Sequence, residues 1–128
     1  MAEELPVPLV RAWSMISALK KLGFKDDELV VGAVRTLPGV KESGVAPDVD
    51  PRKAYYAVAV VASRNGSTLT IPVSEWPMEP DAVRVAWGMF KGRVSSGGIA
   101  KEVLAKAAAK YVFDAQELEK DCRDRGLL

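Results

Sequence analysis

The dipeptide Asn65-Gly66 sits between two runs rich in β-branched residues, Ala54 to Ser63 and Thr68 to Val73. No other feature of the chain constrains its fold as strongly. Asn-Gly accepts the two positive φ angles of a type I′ turn, whose twist matches a pair of antiparallel strands. The two runs are therefore predicted to form a hairpin. Tyr55, Tyr56, Val58, Val60 and Val61 supply the first strand, and Leu69, Ile71 and Val73 alternate with Thr68 and Thr70 in the second. Pro72 has no N–H to give to a ladder, so the second strand belongs at a sheet edge.

The segment before the hairpin supplies the rest of a sheet. Leu29 to Val34 is a short apolar run that reads as a third strand covered on both faces. Residues 35–53 show no periodicity and hold Pro38, Gly39, Gly44, Pro47 and Pro51, which predicts a long loop. Upstream, Leu9, Ala12, Trp13, Ile16 and Leu19 recur at helical spacing, with Met15 and Leu22 beside them. Pro6 and Pro8 suit the first turn of that helix, and Gly23 suits its end.

Beyond the hairpin, Trp76-Pro77 and Glu79-Pro80 make a rigid connector. Asp81 reads as the N-cap of a helix whose buried stripe is Val83, Trp87, Phe90 and Val94. Ser95-Ser96-Gly97-Gly98 breaks it. A further helix is predicted from about Ile99 to Val112, and Asp114 with Glu117 opens a last short one. The order predicts an α+β fold: an N-terminal helix, a three-stranded antiparallel β-meander, then two to three C-terminal helices packed on the sheet. With 128 residues, the chain reads as a single domain, 1–128, able to bury roughly two thirds of its surface.

Composition restricts the chemistry. The chain contains no histidine, which excludes a Ser-His-Asp triad, a Cys-His dyad and any imidazole metal site. Its one cysteine, Cys122, excludes an intramolecular disulfide and reads as an incidental thiol on a solvated helix end. No apolar run reaches membrane-spanning length. Glu3 and Glu4 have the wrong sign for a secretory leader, so a cytoplasmic protein is expected. Asn65-Gly66-Ser67 matches a glycosylation sequon but is read as the turn.

Net charge is +1, yet six cations stand against one acid between Arg84 and Lys110. Arg84, Lys91, Arg93, Lys101, Lys106 and Lys110 form a candidate anion or nucleic-acid face. The Ser96, Gly97 and Gly98 turn offers backbone N–H groups to the same ligand. The alternative is a solvated face in which Glu102, Lys106 and Lys110 form a charge ladder.

Gly88 and Gly92 lie one turn apart inside a predicted helix, where each costs about 1 kcal/mol against alanine. A backbone packed closely on that face would compensate: first of all one from the same chain, otherwise one from a partner. Trp76 and Met78 on the connector either cap the core edge or anchor a partner. Val45, Asp48 and Asp50 mark the long loop as a further partner candidate. Asp48 and Asp50, with Glu28, are also the carboxylates an acid–base site would use. Ser17-Ala18-Leu19-Lys20 matches a serine–lysine spacing on two residues alone.

The expectation is a small non-enzymatic interaction module: a subunit, adaptor, inhibitor or assembly factor acting by surface binding. Its partner would be another protein or a second copy, with no membrane and no cofactor. The alternatives are a nucleic-acid-binding accessory protein using the 84–110 face, and a small carboxylate- and lysine-dependent enzyme.

Overall fold

The computed structural model describes residues 5–35, 56–76, 78–111 and 113–128. The chain is α+β. Helix α1 (Val7–Lys21) leads through a 3-10 turn (Asp26–Glu28) into β1 (Leu29–Arg35), followed by β2 (Tyr56–Arg64) and β3 (Ser67–Glu75). Helices α2 (Pro80–Ser95), α3 (Lys101–Ala108) and α4 (Ala115–Asp124) complete it.

The hairpin forms as predicted. Asn65 and Gly66 take φ of 55° and 76°, and Arg64 pairs with Ser67 across the turn. Both ladders are antiparallel, in the order β1-β2-β3. β3 is an edge, as Pro72 requires. Opposite it the register slips by one residue between Val58 and Ala59, a bulge where a ladder donor is missing.

The expectation for Leu29–Val34 is corrected. Among the described strands β1 is the other edge, Val31 is its one buried residue among the seven, and Val30 is 58% exposed. The strand buried on both faces is β2. Val58, Val60 and Ala62 face the helices, and Ala57 and Ala59, also buried, face the other way. An apolar run records how much hydrophobic surface a strand carries; its place in the sheet is set by its neighbours.

The core lies between that sheet face and the helices. α1 packs on β2 and β3, α2 packs on β1, and α3 packs on α1. Leu19, Val10, Val58, Val60 and Val83 are fully buried. Trp13 of α1 joins Trp87 and Phe90 of α2, with ring centroids 5.8–6.2 Å apart. Such ring pairs add roughly 0.5–1.5 kcal/mol each beyond their burial.

Local signals set most helix ends. Gly23 closes α1 at φ 106°, and Asp114 caps α4 by accepting from the N–H groups of Gln116 and Glu117. Asp81 is not the N-cap of α2. Glu79 holds that position, Pro80 takes the first turn, and the Asp81 carboxylate accepts from Arg84. A proline whose N–H is not needed fits that first turn, which moves the boundary back. α3 is shorter than Ile99–Val112. The Ile99 N–H bonds back to the Arg93 carbonyl, so Ile99 closes α2 instead of opening α3. Cys122 is also corrected. It is fully buried on the inner face of α4, one turn after buried Leu118.

Candidate interaction surface

Helix α2 has two faces of different character. At about 100° per residue, Val83, Trp87 and Phe90 fall on one side, and all three are buried. The side directly opposite carries Asp81, Val85, Gly88, Met89 and Gly92, all exposed. Val85 is 63% exposed and Met89 66%, the highest values among the large hydrophobic residues described. Charges stand on the flanks: Arg84 and Lys91 on one side, Arg93 on the other.

The close contact expected over Gly88 and Gly92 does not come from the chain's own described residues. A methyl group at either position would meet no atom within 4 Å. Both glycines keep their helical cost, and nothing described in the chain offsets it. The outward face is bare over the two glycines, with Val85 and Met89 projecting beside them.

The basic residues are dispersed. Arg84 is paired with Asp81 at 2.9 Å. Lys91 adds to the field of Lys20, whose hydrogen bond holds the Asp26 carboxyl below its ordinary value. Lys101 and Lys106, five residues apart, point about 140° away from each other. α3 ends at Ala108, so Lys110 lies in the turn beyond it and the Glu102–Lys106–Lys110 ladder lacks a helical third rung. The Ser96–Gly98 turn spends two of its three donors on α2, and Ile99 after it spends another. Ser96 N–H bonds to Gly92 O, Gly97 N–H to Val94 O and Ile99 N–H to Arg93 O. That turn is a helix C-terminus, the negative end of the helix dipole, with two of its three amides committed to α2.

Trp76 and Met78 both pack against the core edge, and Trp76 N–H bonds to Tyr56 O at 3.1 Å. Val45, Asp48 and Asp50 lie outside the described residues. Glu28 belongs to an ion pair: Arg64 grips both its carboxylate oxygens at 2.8 Å. Hydrogen bonds from Arg64 and from the Lys25 N–H hold its pKa down to about 2. Ser17 donates to the Trp13 carbonyl, while Lys20 turns to Asp26, so the serine–lysine spacing is not a catalytic pair. The Cys122 thiol is pushed up, chiefly by burial and further by Asp121. Among the described residues, no group of three or more His, Cys, Asp or Glu side chains is placed to hold a metal ion. No described helix is long and apolar enough to cross a membrane.

The sequence reading singled out Gly88 and Gly92 but passed over Val85 and Met89, the apolar residues beside them. The available signal was two large apolar side chains lying off the buried stripe of the same helix. It also passed over Arg11 and Tyr111, which meet near the edge of β3. Comparison of the chain with protein-family models, with curated protein sequences and with solved structures gives no match.

Proposed function

We propose that the chain is a protein-interaction module that acts by surface binding, with the outward face of α2 as its contact. The observation that carries this reading is the bare pair Gly88 and Gly92 beside exposed Val85 and Met89. Helices pack with axes about 8–10 Å apart, and glycine at the contact favours the near end of that range. A partner helix or strand laid over the two glycines would cover Val85 and Met89, each worth roughly 1.5–3 kcal/mol when fully buried. The chemistry is that of a subunit, adaptor or inhibitor, which occupies a surface and transforms nothing.

The test places a photo-crosslinking residue at Val85 or Met89 in the living source cell, with Glu119 on α4 as the control site. A protein crosslink at 85 and 89, absent at 119 and lost with Gly92→Leu, is the expected outcome. Equal labelling at all three sites would refute the assignment. So would a crosslink that disappears on nuclease treatment, which would move the function to nucleic acid. Gly88→Ala and Gly92→Ala check that the helix tolerates the change. Each is expected to raise the stability of the isolated chain by about 1 kcal/mol.

A further inference from the structure

We propose that the recess bounded by Arg11, Tyr111 and Lys110 binds a carboxylate carried on a flat apolar body. Arg11 leaves α1 half-buried, with its guanidinium carbon 4.8 Å over the Tyr111 ring. Among the described residues its one hydrogen bond is a long one, Nη1 to the Val73 carbonyl at 3.4 Å. Its Nε is buried without a partner, and no acidic side chain among the described residues pairs with it. A guanidinium carries five N–H groups, and a fold that half-buries one without a counterion leaves most of that capacity unused.

The surroundings define the missing ligand. Lys110, in the turn after α3, brings a second cation to the same cavity of about 260 Å³, and Val73 and Phe113 complete its wall. With Nε buried and Nη1 turned to Val73, what the guanidinium has left for a carboxylate is Nη2 and the second Nη1 hydrogen, a pair that can bridge its two oxygens. The apolar and aromatic walls suit a flat body behind the charge. Tyr111 and Phe113 also line the adjoining groove of about 460 Å³ between α1 and α3, which gives that body room.

The experiment follows backbone amide resonances of the full chain at fixed ionic strength. Benzoate is the probe, benzamide its neutral isostere and inorganic phosphate the tetrahedral anion. Benzoate is expected to shift Val73, Lys110 and Tyr111, and benzamide to bind about tenfold or more weakly, since it lacks the charge-assisted bond. Arg11→Met is expected to lose at least that factor. Lys110→Gln, an exposed change that leaves the core alone, is expected to weaken benzoate severalfold. Absence of shifts with benzoate would overturn the proposal. Equal binding of benzamide, unchanged binding in both variants, or the same shifts with phosphate in place of benzoate would do so too.

Discussion

Two arginines in this protein are both half-buried and both lie over an aromatic ring, yet the fold treats them in opposite ways. Arg64, at the end of β2, sits 4.4 Å over Phe24. It donates to both oxygens of Glu28, to the Gly23 carbonyl at 2.8 Å and to the Leu127 carbonyl at 3.4 Å. Arg11 sits over Tyr111 with one long hydrogen bond. The first is consumed by the structure. It ties the end of α1, the 3-10 turn, the hairpin and the chain segment after α4 to one planar group. The second is held in place but left unspent. An arginine with four of its five N–H donors matched inside the chain is an argument about stability; one with a single long bond beside a cavity is an argument about binding.

The largest expected effect asks whether the Arg64 cluster or simple burial holds the segment after α4. Leu127 is fully buried. Leu127→Ala should cost about 2–5 kcal/mol in urea unfolding, as a deleted core side chain does. Arg64→Met should come next. It leaves Glu28 without its partner and removes the bonds to Gly23 and Leu127, so the urea midpoint should fall. If it does not move, Arg64 is no more than a surface ion pair.

The pH profile isolates the same cluster. Glu28 is depressed from an ordinary 4.5 to about 2 by Arg64 and the Lys25 N–H. A group depressed in the folded state binds its proton more readily when the chain is unfolded. Its contribution is therefore complete above pH 4.5 and is lost as pH falls from there towards 2. Glu28→Gln should flatten that part of the acid limb of a stability–pH curve. An unchanged slope would place the acid sensitivity elsewhere.

The smallest effect belongs to Arg11. Arg11→Met gives up a stack worth about 0.5–1 kcal/mol and relieves a buried donor without a partner, so its stability should stay within about 1 kcal/mol of the parent. A loss as large as that of Leu127→Ala would show that Arg11 is structural after all, and would erase the contrast with Arg64.

Much of the fold was legible because its signals are local. The Asn65-Gly66 turn, the α1 stripe closed by Gly23 and the Asp114 cap each depend on residues within a few positions of one another. The failures share a cause. Asp81 was read as a cap from its residue type, although Pro80 beside it sets the start of α2. Leu29–Val34 reads from its hydrophobicity as a strand covered on both faces, although in the fold it lies beside β2 with Val30 exposed and Val31 its one buried residue. Cys122 was read as solvated from its charged neighbours, although a helix one turn after Leu118 points it inward. At the candidate surface, the unusual glycines were visible and the question of what covers them was not. A sequence shows the cost of a helical glycine without showing the space around it.

By itself, then, the sequence determined which segments become helix, strand and turn, and that the order is α+β, because those outcomes rest on backbone conformation, periodicity and capping over a few residues. The tertiary structure alone decided which arginine is satisfied and which is idle, which strand is buried on both faces, and that Gly88 and Gly92 lie bare. Arg64 meets its partners 36, 41 and 63 residues away in the chain, and Arg11 reaches Val73 across 62. Pairings at such separations are set by how the elements pack, and no local pattern in the chain encodes them.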